Sequence, residues 1–283
     1  MTDPTTPGTG AARWEDRRTL RTRASPMQVW QAWAEPEHVR RWFCDDARGE
    51  PVAGGSLVHV FDRFGLEIPY RVLESEPGRR LVVEGRSPLG ASFRQEARVE
   101  SDGGETVLHL LHSGLAGESW DHEAEGVDSG WKLALAVLRL YVEDYFGRDR
   151  ANLFAMRPAA FAYDELQPFF RSERGLSRWL TAAGSVDGKS EGEAVQLDLA
   201  PLGASRTLTG RLLADSGREL ALSWPEIDGV LELKAFDLGN QGRALCLRAC
   251  GWGMAADEAR AIEAELGGAL ERLAAALAPP AAL

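Results

Sequence analysis

Two long stretches of this chain match each other at one constant spacing, and that internal repeat restricts the fold more than any other feature. Val29-Trp30-Gln31-Ala32-Trp33 through Arg41-Trp42-Phe43 falls on Leu166 through Arg178-Trp179-Leu180, a shift of 137. Leu108, Leu110 and Gly114 fall on Leu245, Leu247 and Gly251, again at 137, and Arg80 to Glu84 falls on Glu219 to Ser223 at 139. The 283 residues therefore divide into a tail at 1–12, a first copy at 13–147 and a second at 151–280. A few residues around Gly147-Arg148-Asp149-Arg150 join the copies, each long enough to bury a core of its own.

The order of local signals is the same in each copy. In the first, Arg17 to Arg23 alternates as a strand does, and Ser25-Pro26-Met27-Gln28 supplies an N-cap, a proline at the first helical position and a glutamine to close a capping box. The helix that follows carries Val29, Trp30 and Trp33; Glu35-Pro36 interrupts it, and a second short helix carries Val39, Trp42 and Phe43. Short strands come next at Leu57 to Asp62, Leu66 to Leu73 and Leu81 to Glu84, set apart by glycine-containing turns. Ser92 to Glu100 and Thr106 to His112 form a hairpin through Ser101-Asp102-Gly103-Gly104. Phe93, Gln95, Ala97 and Val99 share one face of its first strand, which makes that face buried and the other wet. In the second copy either Leu231, Leu233 and Ala235 or Val230 and Phe236 face the core, because a slip of one residue inverts every side chain.

Each copy closes with a long helix. Its apolar stripe is Trp131, Leu135, Leu138, Val142 and Tyr145 in the first and Ile262, Leu266, Leu270, Leu273 and Leu277 in the second. The surface large enough to cover such a stripe is the apolar face of the sheet in the same copy. The expected architecture is therefore α+β: two tandem curved antiparallel sheets, each crossed by its own terminal helix, with two short helices plugging one end.

Charge and composition narrow the function. With 43 acidic against 32 basic residues the net charge is −11, which disfavours a nucleic-acid partner held through phosphates. The longest apolar run, Leu133 to Val142, is broken by Arg139 and falls short of the ~20 residues a membrane-spanning helix needs. Residues 1–12 have neither a basic nor an apolar region and read as a disordered tail, not a signal peptide. Cys44, Cys246 and Cys250 cannot form a closed disulfide set, which points to a cytoplasmic protein.

Taken in order, Val29 to Trp33 with Trp42-Phe43, Gly78-Arg79-Arg80-Leu81, Glu105 to Leu110, and Glu125-Gly126-Val127-Asp128-Ser129-Gly130-Trp131 make the first copy resemble the SRPBCC superfamily of START-like, helix-grip domains. Within it the resemblance is to the domain of the activators of the 90-kDa heat-shock protein ATPase. The second copy keeps Arg178-Trp179, Arg218 to Trp224 and Gly251, but carries Gly268 where the first has Trp131. The resemblance implies a curved sheet gripping the terminal helix around an apolar cavity. It implies a binder of hydrophobic ligands, a chaperone partner, or a cyclase or hydrolase acting on a hydrophobic intermediate, and fold alone does not choose among them.

Gly251-Trp252-Gly253-Met254-Ala255-Ala256 has the form G-x-G-x-x-A, but no second parallel strand follows and Asp257 and Glu258 would meet a pyrophosphate with negative charge, so no cofactor is expected. His109 and His112, three apart on a strand, point to opposite faces, and no metal site is expected. For an enzymatic reading, His59 or His112 is the candidate base, near Asp45-Asp46 or Glu96. The aromatic set Trp30, Trp33, Trp42, Phe43, Phe61, Tyr70, Phe93, Trp131 and Tyr141 either fills the core or lines a cavity. Gln95 on its apolar face needs a hydrogen-bond partner, which a ligand or water would supply. The expected ligand-binding residues are Trp33, Phe61, Tyr70, Phe93, Gln95, His112, Trp131 and Leu135, with no catalytic residue. The expected partner is a small apolar molecule, with a chaperone or other protein as the alternative.

Overall fold

The computed structural model of the chain describes residues 13–87, 90–115, 118–203, 206–237 and 242–278. Residues 1–12 lie outside the described residues, as do the side chains of 115–128, which include His122 and the Glu125 to Asp128 part of the motif above. Strand Arg13–Thr22 (β1) leads into two short helices, Pro26–Ala34 (α1) and Pro36–Val39 (α2). Asp46–Gly49 (β2), Ser56–Phe61 (β3), Leu66–Glu76 (β4), Arg80–Arg86 (β5), Ser92–Asp102 (β6) and Glu105–Leu115 (β7) follow, then the long helix Glu118–Leu140 (α3), extended by a π-helical turn over Tyr141–Tyr145. The second half runs Arg150–Pro158 (β8), Tyr163–Arg171 (α4), Glu173–Leu176 (α5), Ala194–Asp198 (β9), Thr207–Asp215 (β10), Leu220–Trp224 (β11), Gly229–Asp237 (β12), Arg243–Trp252 (β13) and Ala256–Leu277 (α6). Two separate antiparallel sheets result, ordered β1-β7-β6-β5-β4-β3-β2 and β8-β13-β12-β11-β10-β9. Both halves are helix-grip domains.

Local chemistry explains the start of the first domain. Ser25 Oγ accepts from the Gln28 N–H, and the Gln28 side chain accepts from the Ser25 N–H at 3.0 Å, closing the capping box read from the sequence. Ser25→Ala is expected to lower stability by about 1 kcal/mol, measured as a shift of the urea midpoint. Helix α2 stops at Val39, so Trp42 and Phe43 lie in the turn beyond it and not within it. Strand β2 had no sequence signal, since four residues reading Asp-Ala-Arg-Gly carry a single buried side chain, Ala47.

The correspondence between the two halves extends to individual hydrogen bonds. The Trp42 indole donates to the Ala32 carbonyl at 2.7 Å, and 137 residues on the Trp179 indole donates to the Phe169 carbonyl at 2.9 Å. Trp14 pairs with Gly114 in the first sheet, and Ala151 pairs with Gly251 in the second. A bulge follows Val72 in β4 and Leu212 in β10. The strand without a full counterpart is β2, in whose place the second domain has a single bridge, Ala183 to Asp198.

The helix stripes are buried as expected, with Tyr145 and Leu277 half-buried at their ends. Helix α3, however, is buried on two sides. At 100° per residue, Leu133, Val137 and Tyr141 form a second stripe, all at or below 2% exposure, and the helix packs on β10 and β11 of the other domain as well as on β1. The ambiguous strand β12 resolves for the same reason. Leu231, Leu233 and Ala235 enter the second domain's core, while Val230 joins Ala214, Ala221, Cys250 and Trp252 in the core cluster of the first. Both faces of this sheet are therefore covered, one by α6 and one by the first domain.

Polar contacts fix this packing. Arg150, read as part of the linker, instead opens β8 and sends its guanidinium N–H groups to the carbonyls of Trp42 (2.5 Å), Cys44 (2.6 Å) and Arg40 (3.2 Å). Lys132 on α3 pairs with Glu191 at 2.8 Å. Among the described residues no helix is long and apolar enough to cross a membrane.

Candidate functional site

A cavity of about 320 Å³ opens between the first sheet, α3 and the outward face of the second sheet. From the first domain, β4 and β6 contribute Ile68, Tyr70, Phe93 and Gln95, and β7 contributes His112. Helix α3 presents Trp131, Ala134 and Val137, and the turn after α2 presents Trp42 and Phe43. The opposite wall comes from the second domain: Asn152 and Phe154 of β8, Glu232, Lys234 and Phe236 of β12, and Arg248 of β13. This volume falls at the low end of the range for small-molecule sites, and the walls combine aromatic surface with a few polar groups, as such sites do.

Aromatic rings pack against one another along the inner wall. The Trp131 ring lies parallel to Phe43 at 5.6 Å and tilted against Trp33 at 5.5 Å. The Trp131 indole donates to His112 Nδ1 at 2.9 Å, which fixes both rings and leaves the His112 proton on the other nitrogen. Behind this wall a second pocket of about 20 Å³, room for one water, is bordered by Trp33, His59 and Gln95.

The polar groups are tuned by burial. His59, packed on Tyr70 at 4.7 Å, has a buried Nδ1 with no hydrogen-bond partner, and its pKa is pushed down to about 4. Burial likewise holds His112 at about 4, so both imidazoles are neutral at pH 7. Desolvation pushes the Tyr70 phenol up and the Cys44 thiol up to about 12, which removes a thiolate nucleophile. Gln95 is 7% exposed, borders the cavity, and has no hydrogen-bond partner among the described residues. A buried amide in that position needs a ligand or water group to satisfy its hydrogen bonds.

Of the residues expected at a ligand, Phe61, Tyr70, Phe93, Gln95, His112 and Trp131 border this one cavity. Trp33 borders the small inner pocket instead. Leu135 does not line the cavity: it lies about 40° around α3 from Trp131 and turns toward Leu20 and Leu212, while Ala134 and Val137 face the void. Sequence reasoning missed the entire second-domain wall. No local signal was available, because Glu232 and Lys234 alternating with Leu231, Leu233 and Ala235 read as the wet face of a half-buried strand. His109 and His112 stand on opposite faces of β7, half-buried and buried. The G-x-G-x-x-A stretch is the β13 to α6 turn. There Gly253 adopts φ +77° against the Arg148 guanidinium, and Asp257 and Glu258 occupy the first helical turn.

Residues 23–143 match the family model described as activator of Hsp90 ATPase homolog 1-like protein. No curated protein matches the chain. Among solved structures, the Aha1 dimer from Colwellia psychrerythraea is 19% identical over 47% of this chain and 99% of that one, with a TM-score of 0.41. CalU16 from Micromonospora echinospora is 24% identical over 48% of this chain and 88% of its own, at 0.39. DynU16, described as a protein in the dynemicin biosynthetic locus, is 17% identical and covers 93% of this chain and 99% of its own, at 0.41.

Proposed function

From a chain whose residues 23–143 match the family model of activator of Hsp90 ATPase homolog 1-like proteins, we propose a non-catalytic binding protein that sequesters a small, largely apolar ligand in the first domain's cavity. The observation that carries this reading is the aromatic cavity of about 320 Å³ with the Gln95 amide, unpartnered among the described residues, on its wall. Apolar burial, worth ~25 cal/mol per Å², supplies affinity, and Gln95 and Tyr70 orient the ligand. Imidazoles held near 4 are weak proton acceptors at neutral pH, which favours binding over acid–base catalysis.

The same reading takes the chain as a duplicated module, 13–147 and 151–280, supported by the paired indole bonds of Trp42 and Trp179. Three free cysteines support a reducing, cytoplasmic setting. The chaperone-partner alternative has the family-model match over residues 23–143 behind it. Among the described residues the exposed large apolar side chains, Met27, Val52, Phe64 and Met156, stand on four separate segments. Capture of a chaperone from lysate by the full-length protein, lost on substituting an exposed residue and not a cavity residue, would favour it.

Solvent extraction of the purified protein followed by mass spectrometry is expected to recover a bound small molecule. Ala134→Phe, which fills the cavity from α3, is expected to cut recovery roughly tenfold, equivalent to about 1.4 kcal/mol of binding, while the urea midpoint holds or rises. Repeatedly empty extracts from the unsubstituted protein would sink the proposal.

A further inference from the structure

The second domain's contribution to the cavity is charged, which is unusual for a strand face buried between two domains. Glu232, with its side chain 4% exposed, lies between Lys234 and Arg248, at 14% and 18%. The Arg248 Nη1 reaches Glu232 at 3.4 Å and its Nε donates to Asn152 Oδ1 at 2.9 Å. The Lys234 ammonium is 3.7 Å from Glu232, an ion pair longer than a direct hydrogen bond, and Lys234 borders the cavity. Arg150 stands behind this group as a third buried cation, engaged with backbone carbonyls, its Nε without a hydrogen-bond partner.

Two further carboxylates lie near these cations, neither placed between Lys234 and Arg248 as Glu232 is. Asp45 also borders the cavity and accepts from Asn152. Glu219 is deeply buried, its Oε2 has no hydrogen-bond partner, and desolvation pushes its pKa up toward the neutral form. Arg63, on the first domain's side, is paired with Glu263 at 2.7 Å. Buried charge is costly unless paired, and here Lys234 and Arg248, both bordering the void, share the one carboxylate of Glu232 at 3.7 and 3.4 Å. Resting on the cavity reading above, the geometry points to an acidic ligand. We propose that the cavity takes an amphiphile whose aromatic or aliphatic body lies against Phe93 and Trp131 and whose anionic end, a carboxylate or similar oxyanion, is received by Lys234 and Arg248. The second domain is then the part of the site that selects for charge.

Two fluorescent probes with nearly the same aromatic body test this on the full-length protein: anilinonaphthalene sulfonate, which is anionic, and phenylnaphthylamine, which is neutral. The unsubstituted protein is expected to bind the sulfonate about tenfold more tightly, the effect of one charge-assisted hydrogen bond. Lys234→Gln is expected to abolish that preference while changing phenylnaphthylamine affinity by less than about twofold. Glu232→Gln removes the carboxylate between the two cations and is expected to tighten sulfonate binding about tenfold. Because the two variants move sulfonate affinity in opposite directions, a general loss of structure cannot imitate them. Equal affinity for both probes, or a Lys234→Gln effect that weakens both alike, overturns the anionic end and leaves the cavity reading intact. Failure of both probes together with empty solvent extracts overturns the cavity reading itself.

Discussion

Trp252→Ala is expected to lower stability by about 3–5 kcal/mol and to split one cooperative unfolding transition into two. Trp252 ends the last strand of the second sheet, yet its ring is 1% exposed because it lies against the first domain. It stacks on Tyr145 at 4.5 Å and an interplanar angle of 12°, with Tyr141 at 6.1 Å, and its indole donates to the Arg41 carbonyl at 2.8 Å. Truncation leaves a void between the domains and a carbonyl without its donor. The loss therefore falls on the coupling between the halves and not on either core. Urea titrations followed by tryptophan fluorescence and by far-ultraviolet circular dichroism are expected to diverge. Trp252→Phe keeps a ring in the stack and is expected to cost only about 1 kcal/mol, for the indole bond. A single transition shifted by less than that in the alanine variant would show that the interface contributes little.

The second large effect is a loss of stability in mild acid. His59 and His112 are held by burial at about 4, against an ordinary imidazole value of ~6.5. For a base depressed in this way the unfolded chain binds more protons. The stabilisation is complete above about pH 6.5 and is lost progressively as the pH falls toward 4. For His112, 5% exposed, the full separation corresponds to about 3 kcal/mol. His38, also depressed by burial, acts in the same direction. Glu143, Asp215 and Glu232 are depressed carboxylates whose contribution is lost only below the usual carboxylate range, and Glu219, raised by burial, opposes the fall, so the difference between the unsubstituted protein and a histidine variant from about pH 6.5 to 5 reports on the imidazole. The urea midpoint is expected to fall across that interval. In His59→Phe, which removes an imidazole whose Nδ1 has no partner, the fall is expected to be shallower with no loss at neutral pH. A midpoint constant from about pH 6.5 to 5 would show that these rings are hydrated in the folded protein.

Much of the cavity was legible in the sequence because its inner wall is built by local rules. Alternation on β6 places Phe93 and Gln95 on one face whatever the sheet does elsewhere, and helical spacing places Trp131 toward the same sheet. Leu135 shows the limit of that rule. Its stripe faces inward as a whole, but 40° of rotation separates a residue at the void from one turned to the neighbouring domain. Lys234 and Arg248 were beyond reach for another reason: a charged residue on a strand reads as a solvent-facing one until something is known to cover it.

The amino-acid sequence by itself determined the two modules, their order of elements and the side of each strand and helix that meets its own core. Those features follow from periodicity, caps and turns that act within a few residues. Only the tertiary structure decided that the second sheet lies across the mouth of the first domain's cavity, that α3 is covered on both sides, and that Glu232, Lys234 and Arg248 face a void instead of water. Docking of one module on another depends on surfaces more than 100 residues apart in the chain, such as Arg41 with Trp252 or Asp45 with Asn152, and no local pattern encodes which of them meet.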